Sequence, residues 1–163
     1  MPDTSSAVAP SDIVSGHKSD TRTDSQKSAA NNVIELTLPA APTHLAAARA
    51  LAAELTGRMD FNLDEIDDTR MAVDEACATL VDLAVPSSTL SCVFTLRPDE
   101  IEVETWVSVV HGHQLDEGTF GWRVLTTLVD EVVALSARIG GHGDKTGYQV
   151  GLRLRKRRQE PIE

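Results

Sequence analysis

The segment at positions 70–79 reads Arg70-Met71-Ala72-Val73-Asp74-Glu75-Ala76-Cys77-Ala78-Thr79. Apolar residues at steps of three and four run through and beyond it, which is the pattern of an amphipathic helix. The inward-facing residues are Ile66, Val73, Cys77, Leu80 and Val81. Glu75 and Thr79 are four residues apart, so both lie on one helix face. An isolated glutamate in a helix is commonly a solvated residue.

Two elements precede this helix. Residues 33–38 alternate apolar and polar side chains, which predicts a half-buried strand that ends at Pro39. A first helix is predicted from an N-cap at Pro42-Thr43 to about Gly57. Its apolar stripe consists of Leu45, Ala48, Ala52 and Leu55. The second helix is predicted to begin near Asn62–Asp64, where acidic residues favour the positive end of the helix dipole.

The residues that follow predict a hairpin, a third helix and two more strands. The hairpin strands are Thr89–Leu96 and Ile101–Val110, joined at Pro98-Asp99. The stripe of the third helix consists of Trp122, Val124, Leu125, Leu128 and Val129. Strands at Val132–Ile139 and Tyr148–Leu154 complete the order β-α-α-β-β-α-β-β. We expect an α/β (α+β) two-layer sandwich, with the helices on one face of a mixed, mostly antiparallel sheet.

The ordered domain is expected to span residues 33–158, between a disordered arm at 1–32 and a tail at 159–163. The arm is rich in Ser, Asp, Thr and Ala, so it cannot bury enough surface to offset its ordering entropy. No apolar run approaches the roughly 20 residues of a membrane-spanning helix. The first thirty residues also lack the apolar core of a secretory signal. We expect a soluble, cytoplasmic protein that does not enter a membrane.

Charge is distributed unevenly along the chain. Between Val33 and Leu152 there are 19 acidic and 7 basic residues, a net charge of −12, whereas residues 153–163 carry 5 basic and 2 acidic ones. We expect a segment with this net negative charge to repel nucleic acid, because phosphate binding depends on lysine and arginine. A basic protein partner fits better, and the same charge also keeps a domain soluble.

Cysteine and histidine are sparse and poorly placed for metal binding. Cys77 and Cys92 belong to no Cys-x-x-Cys pair, so we expect both to be buried as small apolar side chains. His111 and His113 have no third ligand at a typical spacing, so we expect them on an exposed loop. No Ser/His/Asp nucleophile signature is present in the sequence.

The helix around positions 70–79 resembles the N-box helix of the GHKL ATPase superfamily, in the branch of the anti-sigma factor serine kinases of RsbW and SpoIIAB type. In that branch a glutamate activates the attacking hydroxyl, and an asparagine four residues later holds Mg²⁺ against the phosphates of ATP. The resemblance implies that Glu75 is catalytic and that Thr79, at the asparagine position, binds cofactor and metal. A threonine hydroxyl is shorter than a carboxamide and would approach the ion differently.

A second block, Gly118–Val132, is similar to the family's Gly-x-Gly lid hinge, the helix after it and the next strand. Gly121 opens a helix, where free N–H groups and a missing side chain suit an anion. Two residues rather than one separate Gly118 from Gly121. A flexible loop that starts a helix is the alternative interpretation.

Two further family signatures are altered. The family closes its nucleotide site with a Gly-Thr turn, and the residues at that place, in inverted order, are Lys145, Thr146 and Gly147. Lys145 is a candidate phosphate contact, and the alternative interpretation is a solvated lysine in a glycine-rich turn. The adenine signature, an Asp-x-Gly-x-Gly turn after the third strand, is absent from the corresponding run Glu102–Val109. We expect Trp106 and Val107 to fill the space that its glycines leave open.

The resemblance covers roughly Val33–Leu154 and is to the divergent actinobacterial RsbW-like regulators. It implies a Bergerat-type GHKL fold and a homodimer that holds a stress- or sporulation-type sigma factor away from core polymerase. The resemblance also implies that an anti-anti-sigma protein of STAS type, which the domain phosphorylates on serine, draws the domain away from that sigma factor. One hypothesis is an anti-sigma binding module whose acidic face meets basic sigma helices, with helix one and its neighbouring loop as contacts. The other is an active kinase that uses ATP and Mg²⁺, with Glu75 as general base. The altered signatures favour sequestration.

Overall fold

The computed structural model describes residues 32–140 and 147–160. The predicted arm, apart from Asn32, and residues 161–163 of the predicted tail lie outside this described part. Within it the chain forms five strands and three α-helices, in the predicted order. They are β1 (Val33–Pro39), α1 (Leu45–Arg58), α2 (Leu63–Val81), β2 (Thr89–Arg97), β3 (Glu100–Val109), α3 (Phe120–Leu128), β4 (Glu131–Ile139) and β5 (Gly147–Arg157).

The five strands form one sheet in the order β1-β2-β3-β5-β4. Every neighbouring pair in it is antiparallel. Helix α2 lies at the centre of the helical layer, between α1 and α3, and packs onto β2, β3 and β5. The predicted two-layer α+β architecture is therefore confirmed, with the sheet entirely antiparallel among the described strands.

Helix α2 begins where the sequence predicts. Asn62 and Glu65 form a capping box: Asn62 Oδ1 accepts a hydrogen bond from Glu65 N–H at 2.9 Å, and Glu65 Oε2 accepts one from Asn62 N–H at 2.8 Å. The fully buried residues of its apolar face are Ala72, Val73, Ala76, Cys77 and Leu80. The predicted inward residues Ile66 and Val81 are only half-buried, at the margin of this core.

The start of helix α1 differs from the prediction. Pro42–His44 forms a 3-10 turn, and the α-helix begins at Leu45 with His44 as its N-cap. No side chain caps either the turn or the helix. The prediction of an N-cap at Pro42-Thr43 was therefore wrong, because the proline opens a separate turn of 3-10 helix.

The basic end of the chain is part of the fold. Lys156 on β5 is 9% exposed, and its Nζ donates hydrogen bonds to Asp68 Oδ2 at 3.0 Å and to the Leu128 carbonyl at 2.8 Å. Just after the strand, the Gln159 N–H donates to Glu65 Oε1 at 2.6 Å. The end of β5 thereby holds the first turns of α2 and the last turn of α3.

Oppositely charged side chains cover the outer face of the sheet, away from the helices. The register pairs Glu100 with Arg157, Glu102 with Arg155, and Glu104 with Arg153, and each pair is in ionic contact. Burial tends to raise the pKa of the Glu102 carboxyl, but hydrogen bonds from Arg155 and Arg97 lower that pKa below its ordinary value. Residues 33–160 together hold 20 acidic and 12 basic residues, a smaller net negative charge than that of residues 33–152 alone.

Trp106 lies on this same outer face. Its indole N–H donates to Glu104 Oε2 at 3.3 Å, and its ring packs over Gly151 on β5. Period-two alternation along β3 directs Val103, Thr105 and Val107 toward the helices. The prediction that Trp106 fills the nucleotide site was therefore wrong, since its side chain is on the other side of the sheet.

Both cysteines are fully buried and unbonded, as predicted. Their sulfur atoms are 3.8 Å apart, one on α2 and one on β2. Among the described residues, no helix combines the length and the apolar character needed to cross a membrane.

Two glycine substitutions should change stability in opposite directions. A Cβ at Gly151 would collide with the Thr105 carbonyl oxygen and lie 2.7 Å from a Trp106 ring carbon, so we expect Gly151→Ala to destabilise the domain by about 1 to 3 kcal/mol. At Gly57, in the last turn of α1, a Cβ would have no atom within 4 Å beyond its chain neighbours and the adjacent backbone of its own helix, so Gly57→Ala should stabilise by roughly 0.4 to 1 kcal/mol. Urea unfolding of both variants measures this; equal midpoints would contradict the packing described here.

Candidate functional site

A cavity of about 380 Å³ lies between α2, the loop at residues 110–119 and the start of α3. This volume is within the roughly 300 to 1,000 Å³ of small-molecule sites. Its walls come from three groups of residues and one strand position. These are Glu75, Thr79, Asp82 and Leu83; residues 113–116 and Thr119; Gly121, Trp122 and Leu125; and Leu152.

Glu75, Thr79 and Gly121 meet at one point of this cavity. A side chain at Gly121 would collide with Glu75 Oε1, and its Cβ would lie 3.7 Å from Thr79 Oγ1. The α3 backbone therefore lies directly against both functional groups of α2. Three residues that the sequence predicts for the site are together in the structure, and the absence of a side chain at position 121 is what allows this approach.

A short hydrogen-bonded turn fixes the start of α3. The Gly118 N–H donates to Asp116 Oδ1 at 2.7 Å, and the Thr119 hydroxyl donates to the Asp116 carbonyl at 3.2 Å. Thr119 is the N-cap of α3, because its Oγ1 accepts a hydrogen bond from the Trp122 N–H at 3.2 Å. The positive end of the α3 dipole is thus held beside the Glu75 carboxylate.

The charges around the cavity are acidic. Glu75, Asp82 and Asp116 line it, whereas none of the described lining residues is lysine or arginine. Glu75 has no ion-pair partner among the described residues. An anionic phosphate would meet repulsion here unless a cation came with it. The cavity therefore suits a metal–phosphate complex better than a free phosphate group.

The described residues offer ligands for such a complex only at the end of the cavity where α2 meets the start of α3. Glu75, Thr79 and the N–H groups at the start of α3 offer a carboxylate, a hydroxyl and backbone donors at the same place. Across the described residues, no group of three or more His, Cys, Asp and Glu side chains is arranged to hold a metal ion by itself. A magnesium ion would consequently depend on phosphate oxygens and water for most of its ligands.

The loop after β3 begins later in the chain than the comparison with the Asp-x-Gly-x-Gly signature predicted. Glu102–Val109 lies within β3, so the turn after this strand reads Val110-His111-Gly112-His113-Gln114. It shares only one glycine with Asp-x-Gly-x-Gly, and valine stands at the aspartate position. His111 and His113 are exposed, as predicted, and His113 also borders the cavity.

Two other predicted site residues that the structure describes, Gly118 and Gly147, are not in the cavity wall. Gly118 lies in the turn before α3, and Gly147 is the exposed first residue of β5, opposite Ile139. Lys145 and Thr146 lie outside the described residues. Asp82, seven residues after Glu75, lines the cavity but was not among the predicted site residues. The i, i+4, i+7 spacing of one helix face is the signal that could have found it.

Residues 38–147 match the family described as "Histidine kinase-like ATPase domain". This chain belongs to that family. The resemblance inferred from the N-box helix is thus confirmed, and the two-layer architecture agrees with it.

Relatives of this histidine kinase-like ATPase domain include two kinds of RsbW protein. The chain is 34% identical over 125 residues to "Anti-sigma-F factor RsbW" of Mycobacterium tuberculosis, covering 77% of this chain and 73% of that protein. It is 33% identical over 72 residues to "Serine-protein kinase RsbW" of Bacillus cereus, covering 43% of this chain and 45% of that protein.

A solved structure supports the fold of the domain. It contains the RsbU and RsbW domains of a Mycobacterium tuberculosis protein, and it superimposes with a TM-score of 0.53 at 18% identity. The match covers 80% of this chain and 34% of that chain, so this domain spans about a third of the solved protein.

The Thr119 cap should be necessary for a stable α3. We expect Thr119→Ala to lower the free energy of unfolding by about 0.5 to 2 kcal/mol, because the Trp122 N–H loses its acceptor. Thr127→Ala is the matched control, since Thr127 is exposed and bonds only to the Arg123 carbonyl of its own helix. That variant should change stability by no more than about 0.5 kcal/mol. Equal losses in both variants would contradict the cap.

Proposed function

We propose that this chain is an anti-sigma factor that binds an alternative sigma factor of the stress or sporulation type and keeps it from core polymerase. The observation that carries the proposal is the similarity to the anti-sigma-F factor RsbW, which extends along 73% of that protein. An anti-anti-sigma protein of STAS type would compete for the same chain and release the sigma factor. A homodimer and a cytoplasmic location remain part of this proposal, as does the lack of direct nucleic-acid binding.

The charge distribution supports a sigma-factor contact at the cavity mouth, the surface around Asp82 and Glu117, rather than on helix α1. The charged residues of α1 are Arg49, Glu54 and Arg58, so this helix has no acidic face. By contrast, Asp82 and Glu117 are exposed near the cavity and have no ion-pair partner among the described residues. The glutamates of β3 on the outer sheet face are neutralised by arginines. The unpaired carboxylates at the cavity mouth therefore complement a basic sigma segment.

Charge reversal at the cavity mouth should weaken sigma binding. In the variant Asp82→Lys combined with Glu117→Lys, we expect the Kd for the cognate sigma factor to rise by roughly tenfold at low salt, since two attractions become repulsions. The difference should shrink as ionic strength rises. The matched control is Glu35→Lys, an exposed residue on β1 at the far edge of the sheet.

Fluorescence anisotropy with a labelled sigma factor measures these affinities. Binding that is unchanged by the double reversal, or weakened equally by the control, would exclude the cavity mouth as the contact surface.

A second function, transfer of phosphate to the serine of an anti-anti-sigma protein, is favoured by two observations. Glu75, Thr79 and Gly121 meet in the cavity, and a relative is named a serine-protein kinase. When bound, ATP would supply the phosphoryl group. Glu75 would accept the proton of the serine hydroxyl, and Thr79 Oγ1 would be a ligand to the accompanying Mg²⁺.

Phosphorylation assays with a purified STAS-type partner test this second function. If it operates, Glu75→Ala should reduce the labelling rate by about 10²-fold or more, because general-base catalysis contributes that much. Sigma binding should survive in the same variant. Asp74→Asn is the control, since Asp74 is adjacent but pairs with Arg49 of α1 at 3.2 Å and not with the cavity. Equal labelling by wild type and Glu75→Ala would show that Glu75 is not the base.

A further inference from the structure

Two thiols lie side by side in the core, between the helix that bears Glu75 and the sheet. Cys77 of α2 and Cys92 of β2 have their Sγ atoms 3.8 Å apart. Both residues are 0% exposed. No metal-binding group of three or more His, Cys, Asp and Glu side chains includes them among the described residues, so metal ligation does not account for the pair.

The position of Cys77 couples this pair to the cavity. Cys77 lies two residues after Glu75 and two before Thr79. At about 100° per residue, its side chain projects from the opposite side of α2. Glu75 and Thr79 point into the cavity while Cys77 points at the sheet, so a shift of this helix segment toward β2 would withdraw both groups from Gly121.

We propose that Cys77 and Cys92 form a redox-active dithiol, which a peroxide oxidises to an intramolecular disulfide that binds α2 to β2. The thiolate of one cysteine attacks one peroxide oxygen, and the other oxygen leaves as hydroxide and takes up a proton. This gives a sulfenic acid on that cysteine. The sulfur of the other cysteine then attacks the sulfenic sulfur, its proton and the hydroxyl group leave as water, and the S–S bond forms. Two thiols and one peroxide thus yield one disulfide and two waters.

The contact between the two sulfurs favours the second step. Because the Sγ atoms of Cys77 and Cys92 lie 3.8 Å apart, a sulfenic acid formed on either cysteine already has its resolving sulfur in contact.

Disulfide formation has a mechanical consequence. The sulfur atoms must move from 3.8 Å apart to about 2.05 Å. Any part of this approach that side-chain rotation does not provide must come from movement of α2 against β2. Oxidation should therefore change the contact between Glu75, Thr79 and the start of α3, which makes the pair a redox switch for the cavity. This inference does not depend on the identity of the binding partner.

The chemical step is tested on the full chain with hydrogen peroxide, followed by acid quenching, denaturation and intact mass measurement. We expect a loss of about 2 Da and the disappearance of both free thiols. Dithiothreitol should restore mass and thiols, and peptide mapping should find the Cys77–Cys92 bridge. Cys77→Ala and Cys92→Ala should each lose this product. Addition of oxygen atoms to the sulfurs, a disulfide between two chains, or two unreacted thiols would overturn the proposal.

The coupling to the cavity has its own test. Trp122 lines the cavity, and Trp106 is the second tryptophan of the chain, so Trp106→Phe leaves a single reporter at the site. Oxidation should shift the emission of Trp122 in this variant, and dithiothreitol should reverse the shift. The same variant with Cys92→Ala added should show no change. Emission that is identical in both redox states would show that the disulfide does not reach the cavity.

Discussion

The arrangement of both site helices depends on one buried cation, Lys156. Its ammonium group joins Asp68 on α2 to the carbonyl of Leu128 at the end of α3, while its backbone is part of β5. A buried ammonium is tolerated only when it is paired and hydrogen-bonded, so these two partners are strongly constrained. Helices α2 and α3 are thereby fixed over the same strand. The cavity lies between them, and the contact of Gly121 with Glu75 follows from that placement.

Charge has two separate roles in this domain. On the outer sheet face, arginines of β5 and glutamates of β3 pair in register, so that face is nearly neutral. Around the cavity, Glu75, Asp82 and Asp116 face no lysine or arginine among the described lining residues. A surface of this kind favours a basic protein segment as partner. Because the same charge opposes a nucleotide that arrives without a cation, it favours the proposed sequestration over phosphate transfer.

The sequence predicts the central helix and its two faces, because capping residues and apolar spacing are local signals. It predicts the element order for the same reason. The sequence does not reveal the role of Lys156, because its partner Asp68 is 88 residues away. From local sequence alone, Lys156 is one residue of a basic segment. The outward direction of Trp106 could have been read from the alternation along β3. The approach of Gly121 to Glu75 could not have been predicted from the sequence, because it depends on how the two helices pack on the sheet.

The most direct test of sequestration is calorimetric titration of the full chain with a panel of purified alternative sigma factors from the same organism. The titration is made without nucleotide and with EDTA present, so that the metal–phosphate chemistry of the cavity is excluded. We expect one member of the panel to bind with a Kd below about 1 μM, corresponding to roughly −8 kcal/mol. Binding by no member of the panel, or binding that occurs only after ATP and Mg²⁺ are added, would contradict sequestration by a preformed acidic surface.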